Sequence, residues 1–123
     1  MIHGVGVDIV DIERIRNSVA NFGEDFLERV FTPSEIEYSM KRKDPHPSLA
    51  ARFAAKEAMI KALTTDETIP LKDIEVVVSE SGKPSIRPGE KLSEIMDGLN
   101  IQSSHLSLTH EKRYAVAYIV LEA

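Results

Sequence analysis

The stretch Arg52-Phe53-Ala54-Ala55-Lys56-Glu57-Ala58-Met59-Ile60-Lys61 lies at the centre of a segment that predicts a long helix. Six alanines fall within residues 50–62, and neither glycine nor proline occurs over residues 48–63. That composition strongly favours a helix. Pro47 precedes the segment, and Ser48 is expected to cap its first turn.

One acid and three bases are expected to project from this central helix, and their spacing permits two interpretations. Glu57 and Lys61 are four residues apart and share one face, with Phe53 one turn before Glu57. Spacing alone favours a core helix that carries a solvated ion pair between Glu57 and Lys61. The alternative is a ligand site, because a helix lined with alanines lets a neighbouring backbone or a ligand come close.

Composition and length are typical of one soluble domain that spans residues 1–123, with 42% hydrophobic and 28% charged residues. The chain has no cysteine, which excludes disulfides and a thiol nucleophile. It has no apolar run long enough for a membrane span, and its N-terminus lacks the layout of a signal peptide. We therefore expect a cytoplasmic protein without a membrane partner. A net charge of −5 argues against non-specific binding to nucleic acid.

The order of the predicted elements indicates an α+β fold, with a small antiparallel sheet packed against the long central helix. Residues 2–10 alternate as a strand whose glycines and Asp8 share one face, where the glycines leave room for another backbone. The segment Ile74–Val78 predicts a strand that turns through Ser79–Ser85 and returns through Ile86. Helical spacing marks further helices near Ile12, Phe22, Thr32 and Leu92.

Capping patterns mark two of these helix starts. Asp11 is expected to cap the first helix. Thr32-Pro33-Ser34-Glu35 has the pattern of a capping box, which gives Glu35 a structural role. His46 lies in the polar loop before the central helix and is expected to be exposed.

The last third of the chain predicts a β-hairpin. Ser107 and Thr109 alternate onto one face of its first strand, and His110 follows them. This polar row is either a solvated hairpin tip or a set of donors for one anion. The second strand, Tyr114–Leu121, is almost continuously apolar, which is typical of a strand buried on both faces or used at a subunit contact.

Five segments together resemble the signature of the holo-acyl-carrier-protein synthases, the short bacterial type of 4′-phosphopantetheinyl transferase. They occur in the family's order and spacing and cover nearly the whole chain. The resemblance implies the transferase fold, assembled as a homotrimer whose active sites are shared between adjacent subunits. The segments are Gly6-Val7-Asp8, Phe31-Thr32-Pro33-Ser34-Glu35, Arg52–Ala58 with Lys61, Ser81-Gly82-Lys83-Pro84 and Ser107-Leu108-Thr109-His110.

The reaction implied is Mg²⁺-dependent transfer of 4′-phosphopantetheine from coenzyme A to a serine of apo-acyl carrier protein, with release of 3′,5′-ADP. This reaction activates the carrier for fatty acid biosynthesis. Asp8, Glu57 and Lys61 are the catalytic candidates, and Asp8 and Glu57 suit Mg²⁺ because it accepts few carboxylates and keeps positions for water and phosphate. Coenzyme A is expected to contact Arg52, Lys61, Gly82, Lys83, Pro84, Ser107, Thr109 and His110.

Arg14 and Arg16 on the first helix are the residues expected to dock the carrier protein. Glu24 and Asp25 follow where the family usually carries further bases or amides, so the resemblance supports docking contacts at these arginines only. The alternative function is a non-catalytic module that binds coenzyme A or the carrier. The presence of both Asp8 and Glu57 disfavours that alternative, because binding alone does not need paired metal carboxylates.

Overall fold

The computed structural model describes residues 1–123 and has the predicted α+β architecture. Three strands, Ile2–Asp11, Tyr114–Glu122 and Ser103–His110, form one antiparallel sheet in that order, and Ile74–Val78 pairs with Pro84–Pro88 in a separate hairpin. The elements are β1 Ile2–Asp11, α1 Ile12–Phe22, α2 Glu24–Val30, α3 Pro33–Met40, α4 His46–Leu63, a 3₁₀ turn Leu71–Asp73, β2 Ile74–Val78, β3 Pro84–Pro88, α5 Glu90–Gly98, β4 Ser103–His110 and β5 Tyr114–Glu122. None of the helices combines the length and the apolar character that a membrane crossing requires.

The central helix α4 packs against β1 through the glycine face of that strand. A Cβ added at Gly6 would overlap the carbonyl oxygen of Ala58, and one added at Gly4 would overlap that of Ala62. The room that the alternating glycines predicted is therefore filled by the backbone of α4. This approach places the residues at the end of β1 beside the middle of α4.

The middle strand of the sheet, β5, buries only one face within the chain. Ala115, Ala117, Ile119 and Leu121 are fully buried on the side of α4. Tyr118, on the other side, is 45% exposed. The prediction that β5 is buried on both faces within one chain is therefore wrong, because no element of the chain covers the second face. A subunit contact there stays a prediction.

The start of α4 differs from the prediction. The helix begins at His46, so Pro47 lies within its first turn rather than before it. The Asp44 carboxylate accepts the backbone N–H of His46 at 3.1 Å. Ser48 does not cap the helix, because it is buried and its hydroxyl lies 2.8 Å from that of Ser39.

His46 is not exposed as predicted. Its side chain is 18% exposed, and its Nδ1 lies 2.7 Å from the Asp44 carboxylate and 2.9 Å from Nη1 of Arg16. The expectation rested on the polar composition of the loop, which does not reveal that α1 packs beside it. The loop before α4 is therefore tied to α1.

A fully buried ion pair joins α4 to α3 and β2. Lys56 Nζ donates to Oε1 of Glu35 at 2.8 Å and to the carbonyls of Leu71 and Ile74 at 3.1 and 2.7 Å. Oε2 of Glu35 accepts the N–H of Val76 at 2.9 Å. Glu35 also completes the predicted capping box, which confirms its structural role. The expectation that all three bases project outward from α4 is wrong, since Lys56 is a core residue and Arg52 is also buried.

Replacing Gly6 by alanine is expected to lower the free energy of unfolding by about 1–3 kcal/mol or more, because the added methyl overlaps the α4 backbone. Denaturant unfolding measures this change. The matched control is Gly98→Ala in α5, where an added Cβ meets nothing within 4 Å. That control should leave stability unchanged or raise it by up to ~1 kcal/mol. Equal stability of the two variants would show that α4 does not need the glycine face.

Candidate active site

The close packing of α4 on β1 brings Asp8, Glu57 and Lys61 to one place. Lys61 Nζ donates to the Asp8 carboxylate at 3.1 Å and to the carbonyl of Val7 at 3.0 Å. Lys61 therefore pairs with Asp8 across the two elements, and the solvated pair between Glu57 and Lys61 that spacing favoured is wrong. Asp8 is 18% exposed and Lys61 is 57% exposed, so the group faces solvent on one side.

The electrostatics of this group come from two neighbouring carboxylates. Burial raises the pKa of Glu57, the negative charge of Asp8 raises that pKa further, and Lys61 opposes both. Two acids that repel each other in this way favour any cation that lies between them. The raised pKa makes the Glu57 carboxylate a stronger proton acceptor than an ordinary glutamate, and it is also a suitable cation ligand.

The donor set fits a magnesium ion. Asp8 and Glu57 come from two different elements, and no third histidine, cysteine or acid joins them in a metal-holding group. Mg²⁺ is usually bound by one or two carboxylates and fills its remaining positions with water and phosphate oxygens. An open two-carboxylate set therefore suits an ion that must also hold a phosphate-bearing substrate. The metal role of both residues stays a prediction.

An open cleft of about 320 Å³ lies between the start of α4, the β2–β3 hairpin and the end of β4. It brings together most of the residues that were predicted to contact coenzyme A. Lys61, Lys83 and Ser107 are not among the lining residues. The predicted residues that line it are Arg52, Gly82, Pro84, Thr109 and His110.

The predicted polar row on β4 is divided between the two faces of the sheet. His110 pairs with Ala115, whose side chain is buried on the side of α4. Ser107 pairs with Tyr118, which in turn pairs with Val7, and both partners are about half exposed on the outer side. Because paired residues share a face, Ser107 and His110 of one chain point to opposite sides of the sheet.

Sequence reasoning missed a stack of cationic and aromatic side chains at the cleft. Two guanidinium groups lie against the Tyr38 ring, with Arg42 and Arg52 each 4.3 Å from its centroid. Arg42 also donates to the Tyr38 hydroxyl at 2.8 Å. The spacing of Tyr38 and Arg42, four residues apart at the end of a predicted helix, was the available signal.

Arg52 is buried without a carboxylate partner. Its Nη1 donates to the Ser48 hydroxyl at 2.8 Å, while its Nε has no partner. Burial lowers the pKa of Arg52, opposed by Tyr38 and Glu35. A desolvated guanidinium beside an open cleft favours an anionic ligand there.

The two arginines on α1 differ in their surroundings. Arg14 is exposed and makes no ion pair. Arg16 is half-buried, and its guanidinium lies 3.2 Å from Glu13 and 3.1 Å from Asp44. Arg16 is therefore tied to the loop before α4, and the docking role expected of both arginines stays a prediction.

The chain is similar to known proteins over nearly its whole length. Residues 4–119 match the family model described as the 4′-phosphopantetheinyl transferase superfamily. The holo-[acyl-carrier-protein] synthase of Thermodesulfovibrio yellowstonii is 46% identical over 98% of this chain and 99% of that protein. The corresponding protein of Halothermothrix orenii is 42% identical over 99% of this chain and 98% of its own length.

Solved structures of the same kind resemble this fold. The holo-[acyl-carrier-protein] synthase of Neisseria meningitidis has a TM-score of 0.92 and 34% identity, with both chains covered completely. The Helicobacter pylori protein, solved in complex with coenzyme A, has a TM-score of 0.84 and 38% identity, over 96% of this chain and 99% of that one.

The raised pKa of Glu57 predicts a pH-dependent effect of Glu57→Gln on stability. Below the ordinary pKa of glutamate, both the folded and the unfolded chain carry neutral Glu57. As pH rises towards the folded pKa, the unfolded chain releases this proton first, so the native state loses stability. Glu57→Gln should therefore melt at a higher temperature than the unsubstituted chain at neutral pH, and the difference should vanish in acid.

Thermal melts of both chains across a pH series measure this effect. Glu94→Gln on the exposed surface of α5 controls for the loss of one surface carboxylate. An advantage of Glu57→Gln that stayed the same at every pH would mean that packing, rather than ionisation, causes it.

Proposed function

The chain belongs to the 4′-phosphopantetheinyl transferase superfamily, and from that premise we propose that it moves 4′-phosphopantetheine from coenzyme A to a serine of apo-acyl carrier protein. The full-length similarity to holo-[acyl-carrier-protein] synthases supports this activity. The observation that carries the proposal is the meeting of Asp8, Glu57 and Lys61 from β1 and α4. A carboxylate pair beside a lysine is suited to phosphate chemistry.

Coenzyme A is proposed to lie in the cleft that the β2–β3 hairpin borders. The H. pylori relative was solved in complex with coenzyme A, which supports this substrate. The buried Arg52 and the cleft-lining Thr109 and His110 bind its phosphates in this proposal, with the Gly82-Lys83-Pro84 turn on the adenine side. Lys61 supplies a positive charge beside the reacting phosphate, because it is exposed next to Asp8.

The reaction forms one bond and breaks one. The carrier serine oxygen attacks the β-phosphorus of coenzyme A, and the bond from that phosphorus to the oxygen of 3′,5′-ADP breaks. Glu57 accepts the serine proton, directly or through a water, which its raised pKa favours. Lys61 stabilises the negative charge that grows on the phosphate oxygens. Mg²⁺ held by Asp8 and Glu57 would neutralise phosphate charge and orient the pyrophosphate.

We also propose that the protein is a cytoplasmic enzyme of fatty acid biosynthesis. In this proposal it assembles as a homotrimer with shared active sites. The outer face of the sheet supports assembly, because Val5, Val7 and Ile9 are 53%, 51% and 61% exposed there. An apolar face of this kind is typical of a protein contact. Ser107 belongs to the same outer face and does not line the cleft of its own chain, so it is assigned to a site shared with an adjacent copy.

Incubation with apo-acyl carrier protein, coenzyme A and Mg²⁺ should raise the mass of the carrier by one phosphopantetheine group, measured by mass spectrometry. Asp8→Asn and Glu57→Gln should each slow transfer by about 10²-fold or more, because each removes a charge from the reacting group. Glu94→Gln is the control and should transfer normally. A chelator should stop the reaction and Mg²⁺ restore it. Binding of coenzyme A or carrier without any mass gain would favour the non-catalytic module instead.

His110→Ala should raise KM for coenzyme A about tenfold, and KM for dephospho-coenzyme A much less, since the second substrate lacks the 3′-phosphate. Initial rates with each substrate measure the two constants. His105→Ala on the same strand is the matched control, because His105 is exposed and pairs with Glu122 at 2.6 Å instead of lining the cleft. Equal losses on both substrates would assign His110 a role other than binding that phosphate.

A further inference from the structure

Arg16 joins α1 to the loop before α4 through a two-pronged ion pair. Its Nη1 and Nη2 donate to the two oxygens of Asp44 at 3.3 and 3.1 Å. Its Nε donates to Glu13 at 3.2 Å, and Nη1 lies 2.9 Å from Nδ1 of His46. A planar guanidinium held in this way fixes direction as well as charge, which a lysine at the same place would not do.

Asp44 has two roles, since it stabilises the start of α4 and also lines the cleft. Its carboxylate accepts the backbone N–H of His46 at the start of α4, and the same residue lines the cleft with Arg42 and Arg52. Hydrogen bonds from Arg16, followed by those from His46, hold the pKa of Asp44 well below its usual range. Asp44 is therefore negatively charged beside a cleft whose other charged groups are cationic.

The charge on Asp44 would oppose an anionic ligand if it had no partner. It lies at the N-terminal end of α4, where the helix dipole favours a negative charge, and it borders the cleft that is proposed to hold the phosphates. Arg16 neutralises this carboxylate from the side away from the cleft lining, since Arg16 is not among the lining residues. The ion pair thus removes the repulsion while keeping the loop in place.

We propose that Arg16 is a positioning residue for the coenzyme cleft, which acts by neutralising and orienting Asp44 at its rim. The inference rests on the proposed function for the identity of the anionic ligand. It moves Arg16 from the carrier-docking surface to the coenzyme side of the enzyme. To bind an acid of the carrier, Arg16 would have to give up Glu13 or Asp44, whereas exposed Arg14 would not have to give up any partner.

The test compares Arg16→Met with Arg14→Met, a matched change on the same helix. Calorimetric titration with coenzyme A in the absence of carrier gives Kd, and steady-state rates give KM for each substrate. Arg16→Met should raise Kd and KM for coenzyme A about fivefold, the size expected of one partly screened charge at the rim. Its KM for the carrier should stay within about twofold. Arg14→Met should leave the Kd of coenzyme A unchanged.

Adding Asp44→Ala to Arg16→Met separates charge neutralisation from a general structural effect. The double variant should bind coenzyme A within about twofold of the unsubstituted enzyme, because the carboxylate that Arg16 no longer neutralises is gone. A change that only loosened the loop would not be reversed by a second truncation. Circular dichroism checks that each variant is folded, and Arg16→Gln replaces Arg16→Met if the methionine variant is not.

Two results would overturn the proposal. A raised KM for the carrier with an unchanged Kd for coenzyme A would make Arg16 a docking residue and overturn the proposal. A raised Kd for coenzyme A that Asp44→Ala does not reverse would also overturn it. Binding of coenzyme A to the unsubstituted protein is measured first. If it binds no coenzyme A, the proposed function itself is wrong.

Discussion

The site depends on the packing of α4 against β1, where backbone meets backbone without intervening side chains. Gly6 has no room for a Cβ, since Ala58 presents its carbonyl oxygen there. Strand alternation puts Asp8 on the same face two residues later, and the residue before Ala58 is Glu57. The close approach of the two elements therefore brings the carboxylates near enough for the charge of Asp8 to raise the pKa of Glu57. Small residues are as necessary to this arrangement as the charged ones.

The buried pair of Lys56 and Glu35 ties one side of α4 to α3 and β2. Residues that are adjacent on a helix point about 100° apart, so an inward Lys56 directs Glu57 towards the edge of the core. Lys56 has no exposed surface and its hydrogen bonds tie it to α3 and β2. Leaving either charge of such a pair without its partner typically costs about 3–5 kcal/mol. Polar contacts in the core thus contribute to the direction in which the partly buried Glu57 points.

Much of this arrangement could be predicted because it follows local rules. The helix of α4, the capping box at Thr32 and the glycine face of β1 all depend on spacing within one segment. The partners of charged residues could not be predicted in the same way. Lys61 has an acid four residues away in sequence but binds Asp8, which is 53 positions distant. Lys56 looked like a surface base because the acid that accompanies it belongs to another helix.

Side chains alternate between the two faces of β4, and this alternation connects the completion of the site with the association of several copies of the chain. Ser107 and His110 lie on opposite faces of the sheet within one chain, and Ser107 does not line the cleft that His110 borders. The outer face that carries Ser107 also carries the exposed Val7 and Tyr118. A second copy seated on that apolar face would bring Ser107 to a neighbouring cleft. Assembly would then both bury this apolar face and complete the site. Only the assembled enzyme would use Ser107, Thr109 and His110 together.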